Sequence, residues 1–200
     1  TPLTGPVDYD SAYLAHHDKW VYYDAVTGRM VYGSQMIDGR PRYFDENTGR
    51  VYSKDEEVNR LISVVRGTYG RDIDCSGALA MAGGIVCPYG PCMSYVWWCF
   101  DQAGLNLFLC DGAVTGYPHH NYDWYRSRGR VDYSPQVGDI AFFRYSGWAD
   151  TIGASASHAG IVVAVPGNGV VLVADAATGG IIPRTYSVGG TIGFAHPYWG

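Results

Sequence analysis

Cys92 follows Pro91 directly and opens a run in which Cys92, Tyr95, Val96, Cys99, Phe100 and Ala103 fall at i, i+3, i+4, i+7, i+8 and i+11. That spacing predicts a helix with one apolar stripe, closed by Gly104. A cysteine at the first position of a helix lies among unpaired N–H groups at the positive end of the helix dipole. This placement lowers the thiol pKa and offers donors to a developing oxyanion. A thiol nucleophile also needs a base held by a third group. His158 opens a predicted strand and Asp175 lies toward the end of the next. In a hairpin of that length the two can sit side by side and face the helix start, a Cys92–His158–Asp175 arrangement suited to acyl transfer. The same pattern also fits a core cysteine and an incidental strand histidine. Cys99, in the middle of the stripe, is assigned to the core.

The elements that must position these residues read as follows. Ser53-Lys54-Asp55-Glu56 is a capping box, Val58, Leu61, Ile62 and Val65 follow at helical spacing, and Gly67 ends the helix. A glycine-rich stretch occupies 67–91. After the second helix a loop runs to about residue 135, with His119-His120 in its Tyr117–Trp124 part, expected to line a cleft or solvent rather than a metal. Strands are predicted over Gly138–Tyr145, His158–Val165, Val170–Ala176, Ile181–Val188 and Thr191–Pro197. Gly167-Asn168-Gly169 and Gly189-Gly190 mark turns of an antiparallel meander. Two helices followed by a run of strands make an α+β arrangement. His16-His17 has no partner in view, and His196 is assigned a structural role.

Composition narrows the function classes. The chain has 200 residues, enough for one domain or a smaller domain with an appendage, and 47% are hydrophobic, which excludes general disorder. No stretch approaches the length of apolar residues a transmembrane helix needs. Fourteen basic against nineteen acidic residues give a net charge of −5, which argues against a nucleic-acid backbone binder. The start, Thr-Pro-Leu-Thr-Gly-Pro, has no basic-then-apolar signal segment. The five cysteines, Cys75, Cys87, Cys92, Cys99 and Cys110, show no paired Cys-x-x-Cys hooks, so neither a structural zinc nor any cofactor is expected. Asp72 and Asp74 alone are a thin basis for a calcium loop, because calcium takes six to eight oxygens.

The first fifty residues repeat. Tyr22-Tyr23-Asp24-Ala25-Val26-Thr27-Gly28-Arg29-Met30 recurs as Tyr43-Phe44-Asp45-Glu46-Asn47-Thr48-Gly49-Arg50-Val51, 21 residues later. Each copy reads as two aromatic strand positions, a turn ending in Gly and a second short strand, with Asp38-Gly39 as a further hairpin turn. Lone hairpins are marginal in water, so the copies must stack or lean on something else. Two readings stand side by side: a tyrosine-rich structural meander, and an aromatic platform for a sugar or quaternary amine.

The segments Lys19-Trp20-Val21-Tyr22-Tyr23-Asp24 and Arg42–Arg50 resemble the repeats of choline- and glucan-binding cell-wall modules over about residues 17–53. Where such modules place Gly-Trp after each hairpin, Gly33 is followed here by Ser34. Pro88-Tyr89-Gly90-Pro91-Cys92-Met93-Ser94-Tyr95-Val96-Trp97 resembles the nucleophile motif of CHAP domains, cysteine- and histidine-dependent amidohydrolases/peptidases that cut peptidoglycan. Gln136–Phe143, Ser157–Val162 and Gly193–Pro197 resemble that family's later strands, in its order. The resemblance implies an α+β, papain-like CHAP domain of short helices on an antiparallel sheet over 54–200, preceded by a β-hairpin wall-binding module over 1–53.

By the same resemblance Cys92, His158 and Asp175 are catalytic, and Tyr89 is an oxyanion candidate. Trp97, Trp98, Tyr117, Trp124 and Trp148 are candidate cleft walls, with ordinary core as the alternative for each. Trp20, Tyr22, Tyr23, Tyr43 and Phe44 are candidate wall-binding rings. The implied partners are bacterial peptidoglycan and wall glycans, without nucleic acid or a membrane span, and the implied setting is extracellular or the cell wall, as for a phage or bacterial lysin. Many relatives carry Glu followed two positions later by Asn, where this chain has Asp175 and Ala177. Asp74-Cys75-Ser76-Gly77 resembles the nucleophile motif of NlpC-type peptidases, so Cys75 is the competing nucleophile. A non-catalytic wall-binding protein with a degenerate CHAP domain, and a transferase with an amine acceptor, are the other readings. Amidase and endopeptidase are not distinguished.

Overall fold

The computed structural model describes residues 5–7, of which only the backbone, and residues 20–72, 90–177 and 180–199. The repeat seen in sequence is a repeat of hydrogen bonds. In the first copy the Asp24 carboxylate accepts from Val26 N–H, Thr27 N–H and the Thr27 hydroxyl, and Asp24 N–H donates to Arg29 C=O. In the second, Asp45 accepts from Asn47 N–H, Thr48 N–H and the Thr48 hydroxyl, and its own N–H donates to Arg50 C=O. Gly28 and Gly49 close these turns at φ 68° and 69°, where a side chain would be strained. The second strand expected of each copy is reduced to a single bridge, Tyr23 to Met30 and Phe44 to Val51. Strand β1 (Gly5–Val7) pairs with β2 (Val21–Tyr23), and β3 (Gly33–Ile37) with β4 (Arg40–Phe44), all antiparallel. The β3–β4 turn places Asp38 and Gly39 both at positive φ, the primed geometry that suits strand twist.

Helix α1 (Lys54–Arg66) starts at the expected capping box: Ser53 Oγ accepts from Glu56 N–H, and Glu56 Oε2 accepts from Ser53 N–H. The hairpins lean on this helix. Tyr43 is 1% exposed and Phe44 2%, so both belong to the core and neither offers a ring to a wall polymer. Tyr43 N–H donates to buried Glu57, its hydroxyl donates to Glu46, and its ring lies under the Arg60 guanidinium at 4.5 Å. These contacts correct the assignment of Tyr43 and Phe44 as wall-binding. As consecutive strand residues the two rings face opposite ways, Tyr43 toward α1 and Phe44 toward Tyr22 of the first copy. Trp20 stays 45% exposed, and Tyr22 and Tyr23 are half-buried.

Helix α2 runs Cys92–Gln102, α3 Pro118–Arg126 and α4 Trp148–Ile152. The strands are β5 (Val131–Asp132), β6 (Ile140–Phe143), β7 (His158–Gly167), β8 (Val170–Ala177), β9 (Gly180–Ser187) and β10 (Gly193–Ala195). They form one six-stranded sheet in the order β5-β10-β6-β7-β8-β9, with every pair antiparallel. The meander holds from β6 to β9. The last strand departs from it, because Gly189 and Gly190 lie in a short 3-10 turn that leads the chain away, and Ile192 N–H then bonds Phe142 C=O. His196, just past β10, bridges Asp132 at 3.0 Å and Asp139 at 3.1 Å and so ties β5, β6 and β10 together. The segment read as a loop at His119-His120 is the helix α3. Pro118 at its first position fixes the helical φ, and Pro118, Asn121 and Tyr125 are buried on one face. Its polar residues hid that period.

Alternate strand residues enter two separate cores. Ile140, Phe142, Ala159, Ile161, Ala174 and Ala176 pack with α1 and α2. Ala141, Phe143, Val162, Val171, Val173 and Phe194 pack on the opposite side. Among the described residues no helix is long and apolar enough to cross a membrane. Tyr43→Ala is expected to cost about 3 kcal/mol, the price of emptying a buried aromatic site. Trp20→Ala should cost well under half as much; urea unfolding of the two variants measures both.

Candidate active site

Gly90, at φ 118°, makes the turn that delivers the chain to α2, and Pro91 precedes the helix without any side-chain cap. The first intrahelical bond is Tyr95 N–H to Pro91 C=O, so the N–H groups of the first turn, including that of Cys92, have no partner within the helix. No acidic side chain occupies that turn. Cys92 is 6% exposed and sits over the sheet because Met93, Val96, Cys99 and Phe100 of the same helix are fully buried.

His158 begins β7 opposite Phe143 of β6. Its Nε2 lies 2.6 Å from Asp175 Oδ2, and the Cys92 thiol is near enough to the ring to raise its pKa. With Nε2 committed to the carboxylate, Nδ1 is the nitrogen left for the thiol. Asp175, on β8, is fully buried. Its Oδ2 also accepts from the Tyr186 hydroxyl at 2.7 Å, and its Oδ1 from Arg184 Nη1. Between histidine and aspartate lies Gly160, where an added Cβ would fall 2.5 Å from Val173 Cγ1 and 2.8 Å from Asp175 Cβ. Only a residue without a side chain lets the strands approach there.

Burial alone would lower the His158 pKa, but the hydrogen bond to Asp175, the Cys92 thiol beside the ring and the neighbouring charges outweigh it and raise it to about 9. For Asp175 burial pushes upward, yet the bonds from His158 and Tyr186 and the charges of His158 and Arg184 hold it below the usual carboxylate range. The other described cysteines differ. Burial drives the Cys99 thiol far up, and the Cys110 thiol is pushed up to about 12, chiefly by burial, while it bonds Asn121. Cys75, Cys87, Asp74 and Tyr89 lie outside the described residues. Among the described residues no group of three or more acidic, histidine or cysteine side chains is placed to hold a metal.

Of the aromatic candidates, Tyr117 and Trp148 gather around a histidine pair. The Tyr117 ring is 5.4 Å from that of His119 and 4.8 Å from that of His120, and Trp148 is 6.2 Å from His119. Trp97, 5% exposed, is turned into the core by its place on α2 and cannot line a cleft. Trp124 is covered by the Arg128 guanidinium at 3.8 Å and meets the edge of Tyr198, so its ring serves packing beside the chain's end. Three residues escaped the sequence reading. Tyr145 is 51% exposed, its ring 6.0 Å from His158 and stacked on Phe143. Arg184 and Tyr186 face Asp175 because β9 pairs with β8 in the register Asp175 to Ile182, which puts alternate residues 182, 184 and 186 on the aspartate's face. A polar pair spaced by two on a strand was the one signal available.

Residues 83–177 match the family model of the CHAP domain, a span that contains Cys92, His158 and Asp175 and ends before β9. Residues 17–55 match that of a choline-binding repeat. No curated protein and no solved structure gives a significant match. The chain is therefore similar over 83–177 to the CHAP domain, a domain of the peptidoglycan-hydrolase type, and over 17–55 to a choline-binding repeat.

Proposed function

We propose that this chain hydrolyses a peptide or amide bond of peptidoglycan through a thioester on Cys92, with 54–200 as its catalytic part and 1–53 as its wall-contacting part. The observation that carries this reading is the thiol at a helix N-terminus beside an imidazole whose Nε2 is held by a buried carboxylate. The Cys92 thiolate attacks the scissile carbonyl while His158 holds the proton taken from sulfur. The charge that develops on the carbonyl oxygen meets the Cys92 backbone N–H and the positive end of α2. Collapse breaks the C–N bond, and the imidazolium passes its proton to the departing amine. Water, deprotonated by His158, then attacks the thioester, releasing the acid and restoring the thiol. Asp175 keeps Nε2 protonated and stabilises the imidazolium.

A cavity of about 500 Å³ lies between the hairpins, lined by Trp20, Tyr22, Asp38, Arg42 and Tyr52 among others. Aromatic rings beside a guanidinium and a carboxylate suit a saccharide, which supports contact with the wall's glycan.

Cys92→Ala and His158→Ala should each abolish digestion of purified walls, at least a thousandfold in rate, because members of one catalytic unit are not additive. Cys75→Ala should keep most activity; the opposite pattern would move the nucleophile to Cys75. Cys92 should also react with iodoacetamide far faster than Cys99 or Cys110. The pH profile follows from His158: the imidazolium is present below its raised pKa and lost above it. Hydrolysis of a soluble muropeptide should therefore decline on the alkaline side with a midpoint near 9. Trp20→Ala should lower the rate on whole walls severalfold and leave the muropeptide rate as it is. An unchanged ratio of the two rates would remove Trp20 from wall contact.

A further inference from the structure

We propose that Arg184 and Tyr186 of β9 are positioning residues for this reaction, holding the Asp175 carboxylate ionised and aimed with Oδ2 on His158. The inference rests on the reading of Cys92, His158 and Asp175 as the reacting unit. It adds two residues that lie beyond residue 177, where the family match ends.

A fully buried carboxylate with a single partner would take up a proton, because the low-dielectric interior penalises the charge. Asp175 avoids this through donors from two strands. His158 Nε2–H and the Tyr186 hydroxyl share Oδ2, and Arg184 occupies Oδ1. Turning the carboxylate about its bond would break all three contacts at once. The holders are themselves held. Arg184 also donates to the backbone carbonyls of Asp175 at 3.2 Å and Gly180 at 3.0 Å. The Tyr186 ring packs on Phe143 at 4.5 Å, and Phe143 in turn faces His158 across β6 and β7. Among the described residues the titratable and charged groups around the carboxylate are His158 on β7, Cys92 on α2 behind it, Arg184 and Tyr186 on β9, and Tyr145 past the end of β6. An amide at position 175 would not serve, since its NH₂ would meet either the guanidinium or the two donors on Oδ2.

The consequence is on the acid side of the pH profile. As pH falls, protonation of Asp175 withdraws the charge that supports and aims the imidazolium beside Cys92. Donors that favour the ionised carboxylate place this event at low pH, and removing one must move it upward. The experiment uses the full chain with Arg184→Gln, Arg184→Lys and Tyr186→Phe. The rate of Cys92 alkylation by iodoacetamide is followed against pH by peptide-resolved mass spectrometry, alongside muropeptide cleavage. Arg184→Gln should move the acid limb up by about one pH unit, a roughly tenfold lower rate on that limb. Tyr186→Phe should move it in the same direction by less, and Arg184→Lys should recover part of the shift. Packing alone would change the melting temperature or the amount of folded protein but would leave the limb in place, so an unshifted limb in both Arg184→Gln and Tyr186→Phe overturns the proposal. If Arg184→Gln fails to fold, Tyr186→Phe, which loses only a hydroxyl, decides the matter. A shifted limb in a chain that leaves muropeptide uncut would sink the hydrolase reading and leave the positioning role standing.

Discussion

The bond between the His158 imidazole and the Asp175 carboxylate exists only while β7 and β8 pair in one register. Ile161 faces Ala174 and Val162 faces Val173, and this sets Gly160 against Asp175 with His158 one step diagonal. Successive residues point to opposite faces, so a slip of one residue would swing Asp175 to the helix side among Ala174 and Ala176. What forbids the slip is burial on both faces. Ile161 and Ala174 are committed to the core under α1 and α2, and Val162 and Val173 to the core on the other side. Residues with no chemistry of their own therefore fix the site's geometry, and Gly160 is the place where the strands come too close for any side chain.

The same dependence holds for the thiol. Cys92 stands where it does because α2 buries Met93, Val96, Cys99 and Phe100, while Trp199 stacks on Phe100 at 5.8 Å from the far end of the chain. Three cysteines of this protein are chemically identical as side chains and differ only in surroundings. Cys99 and Cys110 are enclosed in apolar packing that penalises the thiolate. Cys92 has an imidazole and the open end of a helix. Reactivity in this fold is a property of placement.

In the N-terminal hairpins, packing takes up the aromatic rings of the second copy. Each Asp-x-x-Thr-Gly turn closes its own hydrogen bonds and needs no help from the rest of the molecule. The strands it joins cannot stand alone: Tyr43 docks them on α1, and Phe44 packs against Tyr22 of the first copy. Exposed ring surface is left on the first copy, where Trp20 stands beside the cavity between the hairpins.

The sequence by itself determined what is local. The capping box at Ser53, the turn at Asp38-Gly39, the repeated aspartate turns, the apolar stripe that puts Cys92 at a helix start, and the strand beginning at His158 all depend on residues within a few positions of one another. Their signals survive in a linear reading. Short, polar α3 gave no such period, and the diversion of β10 to a place between β5 and β6 left no local mark. Tertiary structure alone decided that Tyr43, Phe44 and Trp97 are core, and that Arg184 and Tyr186 meet Asp175. Those facts depend on which face of a strand or helix is turned inward and on cross-strand register. Both are set by packing the whole core at once, because a side chain's neighbours across a sheet are fixed by the pairing of distant segments and not by the residues beside it in the chain.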